Sequence, residues 1–381
     1  MSEGFGSREL LSSGLIDRAI RTVAVVACLA ISLQYLLPRL IEWSVLPDFT
    51  MFWTAGKLAL SNVTQVYDTA AMTSAQSWAV DPKHGPRPFP YPPTALLLFV
   101  PFALIPFWAA YWAWLGLSAL AFWSAARRVA RGWALPLSFG APHVVLVLIL
   151  GQTTLVICSL IIWSVTLLRE RPVLAGCLLG IAAALKPQAV LLAPVALISG
   201  GHWKALGASA LSLFVVVFLS LVFGTEAWEA WLSALRSFSQ ALEAHRIHIF
   251  GATPAMAGRT FRLDPCEILI LQIAGMAIGV GAAWFAFKTD DTLLRLTGLI
   301  GGGLLASPYA MRYDLASLAP VFATCLLHGK LRNWLIALPL VALHSVTIVP
   351  ALIISLGVSF LNVLRSARSE PLGPRSETES A

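Results

Sequence analysis

Apolar runs follow one another through this chain with only short polar links between them. Leu135 to Leu150, Thr153 to Leu168, Val173 to Leu185, Ala189 to Ile198 and Ala205 to Phe223 come in close succession. Segments of this kind bury themselves in hydrocarbon, where the backbone must satisfy its own hydrogen bonds. With 58% hydrophobic and 12% charged residues, the composition is far from that of a soluble domain. The expectation is an all-α polytopic membrane protein. A net charge of +7 can signal nucleic acid, but here the basic residues fall between the apolar runs, as the positive-inside rule requires. No nucleic-acid partner is read; the partner is the bilayer. The cysteines, Cys28, Cys158, Cys177, Cys266 and Cys325, lack paired spacing and are expected to be small core residues rather than a disulfide or zinc framework.

The basic clusters order the spans. Arg8, Arg18 and Arg21 hold a polar, disordered N-terminal segment, Met1 to Asp17, inside, and the first span runs outward to about Leu37. Thr94 to Ile105 is apolar but well short of the ~20 residues a span needs. If it crossed, Arg127, Arg128 and Arg131 would lie outside, so it is read as interfacial or re-entrant, and Phe107 to Ala126 as the second span. Alternation then continues to a last hairpin of Trp334 to Val349 and Ala351 to Leu364. The total is about twelve transmembrane helices with both termini cytoplasmic. Residues 1–365 read as a single membrane-embedded domain with large outside loops at 46–106 and 224–265, the first carrying interfacial helices. Residues 366–381 read as a disordered cytoplasmic tail. Basic termini and unpaired cysteines fit a bacterial plasma membrane with the working face toward the periplasm or exterior.

Leu46-Pro47-Asp48-Phe49-Thr50-Met51-Phe52-Trp53 puts a carboxylate at the outer membrane edge, just before residues with helical apolar spacing. Asp48 is either the cap of that helix or a base, and local sequence favours the cap. Asp68, before Thr69-Ala70-Ala71-Met72, has the same two readings, and Asp81 lies in a proline-rich stretch suited to shaping a loop. Asn62-Val63-Thr64 matches a glycosylation acceptor pattern.

The topology collects Asp48, Tyr91, Gln152, Lys186, Gln188, His245, His248 and the stretch Tyr309 to Asp314 on or just below the outer surface. A carboxylate, cations, amides and aromatic rings there suit an anionic lipid-linked substrate and a hydroxyl acceptor. Each has a plainer role: Lys186 snorkelling to the interface, Gln152 satisfying backbone at a bend, Arg312 and Asp314 forming a structural ion pair, Tyr91 sitting in an aromatic belt. An intramembrane cation beside a helix-breaking proline, as at Lys186-Pro187, is nevertheless a functional candidate. His245 and His248 are spaced for one helix face, but with no third ligand no metal site is assigned, and metal dependence is left open.

Pro47-Asp48-Phe49 with Phe52-Trp53 and Ala55-Gly56, Val66-Tyr67-Asp68, Phe89-Pro90-Tyr91-Pro92-Pro93-Thr94, Gly151-Gln152, Ala175-Gly176 before Lys186-Pro187-Gln188, and Ser307-Pro308-Tyr309 occur in an order that resembles glycosyltransferase family 87. That family holds membrane-embedded mannosyltransferases of the GT-C class. The resemblance implies a polyprenyl phosphate sugar donor, usually of mannose, used on the outer face, with an acidic residue of the first outside loop as base, a role that maps to Asp48. Family members often carry a histidine where this chain has Met311-Arg312-Tyr313, so that histidine's role is not transferred to Arg312.

The expected reaction is an inverting, single-displacement transfer of a hexose, mannose first, to a lipid or glycan hydroxyl. Asp48 is the base, Lys186 and Arg312 bind the donor phosphate, and Tyr91, Gln152, Gln188, His248 and Tyr309 bind sugar or acceptor. No cofactor is implied beyond the polyprenyl phosphate sugar itself as substrate. The rival class is a secondary transporter or flippase of lipid-linked sugars, which predicts repeated halves and a midplane site.

Overall fold

The computed structural model describes residues 3–41, 48–79, 88–244, 247–328, 333–342 and 344–369. Among them the regular elements are helices, joined by short 3-10 turns, with one isolated antiparallel bridge between Gly251 and Met311. In chain order the α-helices are α1 (Glu3–Ile41), α2 (Phe49–Ser61), α3 (Thr69–Ala75), α4 (Leu96–Ala103), α5 (Phe107–Ala126), α6 (Ala134–Phe139), α7 (Pro142–Leu150), α8 (Thr154–Leu167) and α9 (Pro172–Leu185). There follow α10 (Ala193–Ser199), α11 (Trp203–Ser220), α12 (Thr225–Ala244), α13 (Pro254–Thr260), α14 (Pro265–Phe287), α15 (Thr292–Leu296), α16 (Gly302–Ala306), α17 (Ala319–His328) and α18 (Ser345–Ser369). Four stretches, Arg18–Pro38, Trp203–Phe223, Pro265–Phe287 and Ser345–Asn362, are long and apolar enough to cross a membrane. A fifth is possible if Pro93–Ala103 and Phe107–Ala126, bent by 119° at their junction, count as one. The fold is thus an all-helical membrane protein.

Local chemistry sets the helix starts. Pro142, Pro172 and Pro265 occupy first turns, where the missing N–H costs nothing. Asp264 accepts from Cys266 and Glu267 backbone N–H while the Glu267 side chain accepts from Asp264 N–H, a complete capping box. Asp291 caps α15 through Leu293 and Leu294. Asn62, the residue of the glycosylation-like pattern, uses its side chain to accept from Thr64 N and Oγ1, so it has a local structural use.

Small residues bring the long helices together. At Gly176 in α9 an added Cβ would lie 2.2 Å from the Ala205 carbonyl oxygen of α11, so the backbones touch there. α2 packs on α4 and α5. Its residues Phe49 to Phe52 and Thr54 to Gly56 are buried. Phe52 stacks on Phe99 with ring centroids 4.4 Å apart, and Phe49 on Trp114 at 6.3 Å. The apolar face that the sequence predicts for this helix is therefore covered over its first two turns by protein.

The structure corrects several boundaries. α1 begins at Glu3, inside the segment expected to be without structure. The expected last hairpin breaks elsewhere: α18 runs through Pro350 to Ser369, and the interruption falls between the 3-10 stretch Asn333–Leu340 and Ser345. Pro350 lies inside α18, where a membrane helix tolerates a proline because neighbouring groups take up the backbone it frees. α18 also takes in the first residues of the expected 366–381 tail, whose remainder lies outside the described residues. Cys28, Cys158 and Cys325 are buried and unbridged as expected, but Cys266 is exposed at the start of α14.

The basic links meet at one end of the bundle. Arg127, Arg128 and Arg131 share an open cleft with Thr166 and Thr292, His328 bonds the Arg131 carbonyl at 3.3 Å, Arg21 donates to the Leu327 carbonyl at 2.8 Å, and Arg169 pairs with Asp290. Asp48, Tyr91, Gln152, Lys186 and Tyr309 gather on a different cavity.

Candidate active site

A cavity of about 470 Å³ is walled by Asp48, Met51, Tyr91, Gln152, Lys186, Gln188, Trp231, Phe238 and Tyr309, together with prolines at 88, 90, 92, 187 and 308. Six of the predicted site residues thus converge on one space, although they come from five separate parts of the chain.

The Asp48 wall begins where α7 ends. Gly151 adopts a left-handed conformation, φ 68°, as the C-terminal residue that turns the chain out of α7. An added Cβ there would lie 2.8 Å from Phe49 Cβ. The indole of Trp114 donates to the Gly151 carbonyl at 2.9 Å. The next residue, Gln152, is thereby aimed at the start of α2, and its Nε2 donates to Asp48 Oδ2 at 2.9 Å. Tyr91 OH contacts Gln152 Oε1 at 3.4 Å and Thr153 Oγ1 at 3.0 Å, which orients the amide with its nitrogen toward the carboxylate.

The two readings of Asp48 and Asp68 separate here. Asp48 sits at the N-cap of α2, but its side chain makes no capping bond and is engaged by Gln152 instead. Asp68 accepts from Ala71 N at 2.8 Å and is the cap of α3. Asp81 lies outside the described residues.

The cation is held by a separate set of contacts. Thr94, of the Pro-Pro-Thr stretch, donates its hydroxyl to the Ala184 carbonyl, pinning the end of α9 next to Lys186. Lys186 is 4% exposed. Its ammonium pairs with Asp314 Oδ1, which also accepts from Thr154 Oγ1 at 2.9 Å, while Asp314 Oδ2 accepts from Met311 N at 3.0 Å. The ammonium also lies 5.4 Å from the Tyr313 ring centroid. The ion pair expected between Arg312 and Asp314 is replaced, on the Asp314 side, by this Lys186 pair.

Two predicted residues are placed elsewhere. Arg312 is not on the cavity wall: its guanidinium stacks over Phe250 at 4.3 Å and Tyr35 at 5.3 Å. His248 is likewise off the wall, in the 3-10 turn Ile247–Phe250, and His245 lies outside the described residues. Among the described residues no group of three or more His, Cys, Asp or Glu side chains gathers as a metal set.

The third wall went unread in the sequence. Trp231, Leu235 and Phe238 of α12 line the cavity at the i, i+4, i+7 spacing of one helical face. The indole of Trp231 donates to the Pro90 carbonyl at 3.2 Å, and Phe238 meets Tyr309 edge-on at 5.4 Å. That spacing within the second large loop was the available signal. Met51, in the first turn of α2, completes this apolar side.

Burial raises the phenols of Tyr91 and Tyr309 above their ordinary range, so both stay protonated and can donate hydrogen bonds. The arrangement sets a carboxylate and an ammonium on one cavity, whose wall also carries amides and aromatic faces. It suits proton removal from a hydroxyl together with stabilisation of an anionic leaving group.

A family model described as glycosyltransferase family 87 matches residues 89–308, more than half of the 381 residues. Tyr91, Gln152, Lys186, Gln188 and Trp231 fall within the matched span, and Asp48 and Tyr309 fall outside it. Neither the curated proteins nor the solved structures compared with the chain give a match.

Proposed function

The chain belongs to glycosyltransferase family 87, and we propose that this membrane glycosyltransferase moves a hexose, mannose first, from a polyprenyl phosphate sugar to a lipid or glycan hydroxyl. The carrying observation is the single cavity shared by Asp48, fixed by Gln152, and Lys186, fixed by Asp314. In this reading Asp48 takes the acceptor proton as the acceptor oxygen bonds to the anomeric carbon from the face opposite the phosphate. The bond from that carbon to the phosphate oxygen breaks, and its electron pair leaves with the phosphate. The configuration inverts and no covalent enzyme intermediate forms. General-base help from Asp48 contributes about 10² to 10⁴ in rate. Lys186 meets the charge gathering on the phosphate as a buried, preorganised cation. In the same reading Gln188, Tyr91 and Tyr309 bond sugar hydroxyls and Trp231 and Phe238 offer apolar faces; all five line the cavity.

The reading carries with it a GT-C architecture of about twelve spans, many of them broken. It also places the basic end in the cytoplasm, and the Asp48 cavity on the outer face of a bacterial plasma membrane. The gathering of Arg21, Arg127, Arg128, Arg131 and Arg169 near one another supports that orientation.

The test is transfer of label from radiolabelled polyprenyl phosphomannose to a host lipid extract by purified wild-type protein and by Asp48→Asn. Label moved by wild type alone supports the reading. Equal transfer by both proteins removes Asp48 as base. No transfer with this or other polyprenyl phosphate sugars removes the donor class.

A further inference from the structure

Lys186 is the cavity's buried cation, yet it does not present a bare charge. Asp314 is 7% exposed and is itself fully engaged: Thr154 Oγ1 and Lys186 share one carboxylate oxygen, and the Met311 backbone N–H holds the other. A carboxylate with that many donors is fixed in place, and its pairing with the ammonium leaves the two side chains close to a neutral unit. It also couples two distant segments, since residues 186 and 314 come from opposite sides of the second large loop.

The chemistry of the proposed reaction gives such a pair a use. A polyprenyl phosphate sugar is a phosphodiester with one negative charge. Once the sugar leaves, the phosphate is a monoester whose second ionisation lies near pH 6, so at neutral pH it approaches two charges. The proton from the acceptor is then on Asp48, which balances the step. Coulomb attraction to a lone ammonium grows with the phosphate's charge. A bare buried lysine would therefore hold the product far more tightly than the substrate and slow turnover.

We propose that Asp314 is a positioning and charge-balancing residue, which holds Lys186 at the cavity and keeps it from retaining the more highly charged phosphate product. The proposal rests on the donor reading above. Lys186 keeps N–H donors beyond the one given to Asp314, so it can still bond a phosphate oxygen, but as one member of a dipole.

The experiment measures direct binding of a polyprenyl phosphate and of its methyl phosphodiester to purified protein in detergent at neutral pH. Wild type is expected to favour the monoester over the diester by no more than about threefold. Asp314→Asn is expected to favour it by about tenfold or more, the scale of unmasking one full charge in a partly enclosed site, with Asp314→Glu returning to wild-type selectivity. In turnover assays, Asp314→Asn should lower kcat while the KM for donor stays level or falls, because release of the phosphate becomes limiting. A purely structural role predicts instead that both probes weaken together. Should Asp314→Asn fail to fold, the wild-type preference decides alone: a preference of tenfold or more in wild type overturns the proposal. Binding of both probes with no change of selectivity in Asp314→Asn overturns the charge-balancing role and leaves the donor reading standing. Binding of neither probe to wild type overturns the donor reading and this proposal with it.

Discussion

Gln152 donates its side-chain amide to Asp48 at 2.9 Å, linking two residues separated by 104 positions in the chain. This carboxylate stands at a helix start but makes no capping bond of its own, and one of its oxygens accepts from a distant amide. Asp48→Asn is therefore expected to lower kcat by about 10² to 10⁴ while thermal stability in detergent stays close to wild type. Asp68→Ala, which removes a real cap, should show the reverse: a loss of about 1 kcal/mol in stability and near-normal kcat. Loss of activity in Asp68→Ala with Asp48→Asn active would exchange the two assignments.

Gln152 itself should matter through position. Gln152→Leu keeps the bulk but removes the donor, so Asp48 loses the bond that aims it. The expected effect is a fall in kcat of about tenfold to a hundredfold with little change in KM, as for a misplaced base. A change confined to KM would argue that Gln152 binds substrate instead.

Tyr91 supports that same amide. Burial holds its phenol above the ordinary range, so across neutral and mildly alkaline pH the group stays protonated. Tyr91→Phe should lower kcat by a few fold through loss of the bonds to Thr153 and Gln152. The pH profile of the remaining activity should keep its shape, because the lost group does not titrate there. A displaced alkaline limb in Tyr91→Phe would show that the phenol ionises during turnover.

Lys186 and Asp314 form a pair in which each partner compensates the other's burial. Lys186→Met strands the Asp314 charge and is expected to cost about 3–5 kcal/mol, whereas a Lys186→Met, Asp314→Leu double variant should recover much of that loss. Thermal unfolding in detergent checks it. Equal destabilisation of the single and double variants would mean that the two side chains do not act as a unit. Both variants lose the cation proposed to meet the phosphate, so neither should transfer sugar.

The long apolar helices and the clustering of basic links were legible because both follow from what a bilayer tolerates, residue by residue. Asp48, Tyr91, Gln152, Lys186, Gln188 and Tyr309 are the polar groups that the expected topology collects on one face, and the fold brings these six to one cavity. What the sequence did not reveal is which partner each polar group takes. Asp314 was read against its near neighbour Arg312, but the fold brings Lys186 to it across 128 positions, while Arg312 finds the faces of Phe250 and Tyr35. The histidines of the second loop are its conspicuous polar groups, but its apolar stripe, Trp231, Leu235 and Phe238, carries the contact with the cavity. The expected break at Pro350 is absent, as an interior proline is tolerated in a membrane helix where neighbouring groups take up the backbone it frees.

Gly151 joins fold and site at a single position, which makes it the most economical test of the geometry. Its φ of 68° lies in the left-handed region, where a side chain costs roughly 1–2 kcal/mol. The added methyl would also meet Phe49 Cβ at 2.8 Å, and Phe49 is fully buried among Phe102, Phe107, Tyr111 and Trp114, with no room to retreat. Gly151→Ala must therefore shift either the start of α2, which carries Asp48, or the end of α7, which carries Gln152. Either shift lengthens the bond between those two side chains. The expected outcome is a lowered melting temperature in detergent together with a fall in kcat at least as large as that of Gln152→Leu. Phe49→Leu, by making space for the methyl, should restore part of both in the double variant. If Gly151→Ala lost stability but kept full kcat, the contact between Gln152 and Asp48 would not be what positions the base.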